Sequence, residues 1–225
     1  MILQLITDRR RLAPGASEDA GIRCLLEQVR HAVAAGIDLV QVREYDLEGR
    51  ALSALVSQAL ALTRGTSTRL VVNERLDVAL ACGADGVHLR GQSFETSRVR
   101  ALAGPGFLIG RSVRSADEAR AAGPVDYLIA GTVWPTVSKP EGHALLGPDG
   151  LRQVVEAAGV PVLAIGGIDA SRLEALASTG AAGVAAIGVW MSSGGGCRAV
   201  SLHAVTRTFR GGRDLANMVV RIPHS

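Results

Sequence analysis

Pro161-Val-Leu-Ala-Ile-Gly-Gly-Ile-Asp169 is followed, about one helix later, by Gly183-Val-Ala-Ala-Ile-Gly188. Each stretch is a short apolar run that ends in glycine. Such a run suits a strand buried on both faces. Glycine at its end lets backbone N–H groups approach an anion with no Cβ in the way. When two such units close an eightfold β/α barrel, their glycines form a phosphate cup.

The rest of the chain supplies six further units of the same kind. The strand candidates are Ile2–Thr7, Leu39–Arg43, Leu70–Asn73, Gly86–Leu89, Leu108–Arg111, Tyr127–Gly131, Val162–Ile165 and Val184–Ile187. Helical spacing lies between them. Leu25, Val29 and Val33 recur at i, i+4 and i+8, and Leu52, Leu55, Val56, Ala59 and Leu60 make a wide apolar stripe. Val78, Ala79 and Cys82 repeat the pattern briefly, as do Leu173, Leu176 and Ala177. Ala-Gly or Cys-Gly closes several of these helices, which is the usual C′ glycine. The chain therefore reads as a single-domain α/β protein, a (β/α)8 TIM barrel over residues 1–210, with a polar extension over 211–225. The competing fold, an open doubly wound sheet, lacks its fingerprint: Thr7-Asp8-Arg9 stands where GxGxxG would follow the first strand. Gly194-Gly195-Gly196 falls after the last strand and reads as a connector.

Composition narrows the function. The 225 residues are 48% hydrophobic and 20% charged, enough for a large core. Only 3% are aromatic, which argues against a base-stacking platform and so against a nucleic-acid partner. The net charge of +3 is spread out, apart from Arg9-Arg10-Arg11, which reads as a solvated loop. Three scattered cysteines, Cys24, Cys82 and Cys197, predict neither a zinc site nor a disulfide framework. They read as small hydrophobes in a reducing compartment. No run nears the roughly 20 apolar residues of a membrane span. The expectation is a cytoplasmic protein with no membrane partner, and homo-oligomerisation stays open.

In this fold chemistry lies at the C-terminal strand ends. Those ends offer Thr7-Asp8, Gln41 to Glu44, Asn73-Glu74-Arg75, His88 to Arg90, Gly110-Arg111-Ser112 and Gly131-Thr132, besides the glycines Gly166, Gly167 and Gly188. A mouth lined with Arg, Asn and Ser suits a polar anionic ligand. The loop after the sixth strand adds Thr136, Ser138 and Lys139, two hydroxyls and a cation beside the cup.

Taken in order, these motifs resemble the superfamily of thiamine phosphate synthase and TenI. They are Leu5–Asp8 (LITD), Gln41 and Arg43 (QxR), Asn73 to Leu80 (NERLDVAL), Asp85–Leu89 (DGVHL), Ile109–Val113 (IGRSV), Asp126–Lys139 and Ala164–Ile168 (AIGGI). The resemblance covers roughly Ile2 to Met191. It implies a barrel of thiamine biosynthesis whose small-molecule partner is a thiazole phosphate. Gly166, Gly167 and Gly188 would hold the phosphate. Thr136 and Ser138 match paired hydroxyls near that ligand, Lys139 matches a loop lysine, and Gln41, Arg43 and Asn73 match the pyrimidine and pyrophosphate side.

The synthases of this superfamily join a hydroxymethylpyrimidine diphosphate to the thiazole and release pyrophosphate. That chemistry needs charge neutralisation at the leaving group, by Mg²⁺ on carboxylates and by Lys or Arg. Here Tyr45 stands at the family's lysine, Glu74 at one metal aspartate and Ser93 at the other, with Arg90 as a replacement charge. These departures point to a TenI-like protein, either a thiazole tautomerase or a binder, needing no cofactor. A synthase using Mg²⁺ through Glu74 is the alternative. A tautomerase needs a proton shuttle near neutral pH. The family's fifth-loop histidine is Arg114 here, beside Ser112, and a guanidinium is a poor shuttle. His143 in the sixth loop is the candidate base, with Arg43, Glu74, Arg114 and Lys139 as the other catalytic candidates. Glu44 is a further acid/base candidate, and His88 reads as a buried histidine satisfied by a backbone partner.

Overall fold

A computed structural model describes residues 1–136, 139, 142, 144–188, 191 and 206–209. Its strands are β1 (Ile2–Ile6), β2 (Leu39–Val42), β3 (Arg69–Asn73), β4 (Gly86–Leu89), β5 (Leu108–Val113), β6 (Tyr127–Gly131), β7 (Val162–Ile165) and β8 (Gly183–Ala186). They form a closed parallel barrel in chain order. Closure is made by β1 against β8, with Leu3 opposite Val184 and Gln4 opposite Ala185. The helices are α1 (Arg9–Leu12), α2 (Glu18–Ala34), α3 (Gly49–Thr63), α4 (Leu76–Cys82), α5 (Thr96–Ala103), α6 (Ala116–Arg120), α7 (Gly147–Ala157) and α8 (Leu173–Ala177). The eightfold barrel expected from the apolar runs is the fold. β5 runs two residues further than the apolar pattern suggests, because Ser112 and Val113 pair with Ile129 and Ala130 of β6.

Alternation along the strands separates two cores. Leu3 and Leu5, Val40 and Val42, and Leu70 and Val72 point outward and pack under the helices. There they meet Leu25 and Val29 of α2 and Leu52, Leu55, Val56, Ala59 and Leu60 of α3, all buried. Burying one such leucine stabilises by roughly 1.5–3 kcal/mol, so this shell carries most of the fold. The other phase points inward: Ile2, Ile6, Leu39, Val71, Leu108, Tyr127, Ile129, Leu163 and Ala185 fill the barrel. The ring of Tyr127 fits only because position 110 is glycine, where a Cβ would lie 2.1 Å from the tyrosine Cζ.

One reading of the cysteines is corrected. Cys82 is free, but Cys24 is disulfide-bonded, so it does not pack as a reduced hydrophobe. Among the described residues no helix is long and apolar enough to cross a membrane. The extension over 211–225, Gly194-Gly195-Gly196 and Cys197 lie outside the described residues.

Candidate active site

The inward phase does not stop where the strands stop. Continued two residues past the last inward positions of β1, β2, β4 and β5 (Ile6, Gln41, His88 and Ser112), it reaches Asp8, Arg43, Arg90 and Arg114. All four line one cavity of about 510 Å³ at the C-terminal end of the barrel, together with Ile6, Gln41, Asn73, His88, Ser112, Ile129 and Ile165. Arg11, Thr136 and Lys139 complete the wall on the side of β6 to β8. Five cations therefore face the cavity, and Asp8 is the one carboxylate among its lining residues.

The cavity floor is a connected polar layer. Gln4 Nε2 donates to Gln41 Oε1 at 3.0 Å, and Gln41 Nε2 donates to Asn73 Oδ1 at 2.8 Å. With its oxygen taken, Asn73 keeps Nδ2 as a buried donor with no partner among the described residues. On the other side His88 is hydrogen-bonded through Nδ1 to the Tyr127 hydroxyl at 3.2 Å and through Nε2 to Ser112 Oγ at 2.9 Å. The Tyr127 hydroxyl also meets Gln4, which joins the two halves. Burial holds the His88 ring neutral, with its pKa pushed down to about 3, and it drives that of Tyr127 up. The partners of His88 are thus side-chain hydroxyls, not the backbone group expected from sequence. The layer explains why polar residues occupy strand interiors: their side chains bond to one another across the barrel.

The three candidate glycines come together in space. Gly166, Gly167 and Gly188 line a smaller recess with Arg11, Thr136 and Ile165, and it shares Arg11, Thr136, Ile165 and Gly166 with the main cavity. Gly166 and Gly167 have φ of 99° and 63°, a left-handed backbone that glycine adopts at least cost. The β6 loop lies on them: a Cβ at Gly167 would stand 2.3 Å from the Pro135 carbonyl oxygen and 2.7 Å from that of Trp134. Val133 N–H donates to the Ile165 carbonyl and Trp134 N–H to that of Gly166, which fixes the loop over β7. Arg172 donates to the Gly167 carbonyl from below the Trp134 ring. Thr136 and Lys139 are thereby brought to the cavity. Ser138 and His143 lie outside the described residues.

The opposite wall is built differently. Tyr45 carries the Arg43 guanidinium 4.3 Å from its ring centroid and accepts a hydrogen bond from Arg43 Nε at 3.0 Å. Arg90 approaches the same ring at 5.8 Å. Glu74 has a left-handed backbone, φ 64°, which costs a non-glycine residue about 1–2 kcal/mol. That turn aims its carboxylate at the loop after β4. There Oε1 accepts the Arg90 backbone N–H, Oε2 accepts Ser93 Oγ at 3.1 Å, and Oε2 pairs with Arg90 Nε at 3.3 Å. Arg111 steadies this loop by donating to the Gly91 carbonyl at 2.6 Å. The two positions matching metal aspartates, Glu74 and Ser93, thus bond to each other. Among the described residues no three His, Cys, Asp or Glu side chains converge on a metal position. A divalent cation does not fit this donor set, since one carboxylate is missing and the other is already occupied.

Two other candidates have structural duties. Glu44 is buried, out of step with the inward phase, and accepts hydrogen bonds from Thr7 Oγ1 and from the Arg9 backbone and guanidinium. Burial raises its pKa, against the pull of Thr7 and Arg9. Arg9 also forks onto Asp46 at 2.6 and 2.7 Å and lowers that carboxyl to about 2. Asp8 caps α1 through the Arg11 N–H. The basic triplet is therefore not a solvated loop. Arg9 is a buried strut, Arg10 is exposed and pairs with Asp46, and Arg11 lines the glycine recess. Arg11 is the cavity-lining residue that a charge-run reading misses. The signal was its place five residues beyond Ile6, the last inward residue of β1, on a one-turn helix capped by Asp8.

Residues 4–189 match the family model described as thiamine monophosphate synthase. The chain belongs to that family. A thiamine-phosphate synthase of Azorhizobium caulinodans is 38% identical over 187 residues, covering 82% of this chain and 84% of that one. One from Solidesulfovibrio magneticus is 46% identical over 162 residues, covering 71% and 73%. A solved structure, the thiamine phosphate pyrophosphorylase of Pyrococcus furiosus, superposes with a TM-score of 0.75 at 33% identity over 93% of this chain and 94% of that chain. The relatives' names favour the synthase side of the thiamine monophosphate synthase family over its TenI side, which corrects the balance struck from the substitutions at 45, 74 and 93.

Proposed function

We propose that this chain is a transferase of the thiamine-phosphate-synthase type, joining a hydroxymethylpyrimidine diphosphate to a thiazole phosphate. The observation that carries the reading is one cavity with a glycine recess at one end and a group of arginines at the other. The cup of Gly166, Gly167, Gly188 and Arg11 stands at one end, and Arg43, Arg90 and Arg114 stand at the other. A binder of one thiazole phosphate needs only the first.

On this reading the thiazole phosphate sits on the backbone N–H groups of the cup, with Arg11 and Lys139 adding charge. The pyrimidine lies over the polar floor, where Asn73 Nδ2 donates to a ring nitrogen. The bond between the methylene carbon and the diphosphate oxygen breaks, and its electron pair leaves with pyrophosphate. The thiazole nitrogen lone pair then forms the new C–N bond. The arginines stabilise the charge that collects on the leaving oxygen. Ile6, Ile129 and Ile165 keep water from the cationic carbon between the two events.

Proton-shuttle chemistry has less support. His88 is held neutral with both nitrogens engaged, Asp8 caps a helix, and Glu44 and Glu74 are paired with arginines. A tautomerase would depend on His143, outside the described residues. The test gives the protein both synthase substrates and follows thiamine phosphate and pyrophosphate, with aromatisation of the thiazole carboxylate phosphate measured separately. Stoichiometric release of both products is expected. Aromatisation without coupling would reverse the assignment in favour of TenI.

A further inference from the structure

If the far end of the cavity receives a diphosphate ester, as the transferase reading requires, its charge has to be met. Two carboxylates holding a divalent cation would do so, but here Glu74 is bound to Ser93 and Arg90. We propose that this site takes diphosphate without a metal ion, with the Arg90 guanidinium in the place a cation would fill.

Three observations converge. Arg90 is anchored on its inner side, through its backbone N–H and Nε on Glu74, while its two terminal nitrogens have no hydrogen-bond partner among the described residues. A guanidinium held this way presents a ready fork to phosphate oxygens, and ordering it on binding costs little further entropy. The Tyr45 ring meets both Arg43 and Arg90, so two cations gather at one ring, although Arg43 also pairs with Asp8 at 3.9 Å and Arg90 with Glu74. Tyr45 thus gives up the family lysine's charge and supplies a platform that positions two others. Finally, Asn73, only 7% exposed, lines the same cavity, and its buried Nδ2 has no hydrogen-bond partner among the described residues. A buried donor left unmatched in a built polar layer marks a ligand position that does not depend on the arginines.

Magnesium binds phosphate oxygens through a rigid octahedral shell and needs carboxylates to hold it. An arginine pair needs neither. The site should therefore accept diphosphate in the presence of chelator, and lose it when Arg90 is shortened.

The experiment titrates inorganic pyrophosphate calorimetrically into the full chain, once with EDTA and once with excess Mg²⁺. Binding of similar strength in both is expected. Arg90→Ala should weaken metal-free binding about tenfold, with Arg90→Lys in between, as for loss of a charge-assisted pair. The side chain is 65% exposed, so the variants should fold, and circular dichroism melts check that they do. Pyrophosphate that binds only when Mg²⁺ is added overturns the proposal, as does an Arg90→Ala variant that binds as tightly as the unaltered chain. The coupling assay separates this result from the transferase reading. Metal-free pyrophosphate binding without thiamine phosphate formation supports the Arg90 assignment and removes the transferase. Coupling that needs Mg²⁺, with no pyrophosphate bound in EDTA, does the reverse.

Discussion

Lowering the pH should destabilise this barrel through His88. The ring is buried and neutral with a pKa near 3, while in the unfolded chain it titrates near 6.5. A depressed pKa means that the native state refuses a proton the unfolded state accepts. The contribution is fully present above pH 6.5 and is lost as the pH falls toward 3, at about 1.4 kcal/mol per unit. Near pH 6 the loss is about 1 kcal/mol, and near pH 5 about 2 kcal/mol. Asp46, lowered to about 2 by its bond from Arg9, loses its contribution only below about pH 4, outside this window. Glu44, raised by burial, works in the opposite direction, gaining stability as the pH falls. The two effects are separated by comparison with His88→Gln. Urea unfolding of both proteins between about pH 7.5 and 5 should give curves that converge by about 2 kcal/mol at the acid end. Parallel curves would refute the argument, because they would mean that the ring is protonated in the folded protein without penalty.

Gly167→Asp puts a side chain into the Pro135 and Trp134 carbonyls and onto a left-handed backbone. The combined strain of about 2–5 kcal/mol should lower the thermal midpoint by about 5–15 °C and weaken thiazole phosphate binding, measured by calorimetry; unchanged affinity would remove the cup as the phosphate site. Arg9→Ala leaves the Glu44 charge buried and uncompensated, which should cost about 3–5 kcal/mol in urea unfolding, and adding Glu44→Gln should restore part of it.

The barrel is legible in the chain because apolar runs, Ala-Gly helix ends and apolar stripes all repeat with one period. Six strands begin where those runs begin and end within two residues of where they end, and Leu52 to Leu60 bury the face their spacing predicts. The glycine cup is legible because glycine after an apolar strand has few other uses. The opposite wall is less so. That Glu44 is a strut while Arg43 faces the cavity follows only from the phase of β2, and phase is set by pairing with β1 and β3. The partnership of Glu74 with Ser93 joins residues nineteen apart on different loops, and nothing local announces it. Arg11 is hidden because a run of three like charges looks uniform, although a buried strut, an exposed charge and a cavity-lining residue share it.

The mouth and the core are separately editable. Arg43, Arg90 and Arg114 rise from strand ends into open space, while their neighbours Glu44, Leu89 and Val113 are sealed in the shell. A lineage can exchange every second residue at the rim and leave the barrel's packing as it was. Overall identity, which counts mostly shell and core, is then blind to such exchanges. Two chains that share 38–46% of their residues can agree on the architecture and still present different charges to the same ligand.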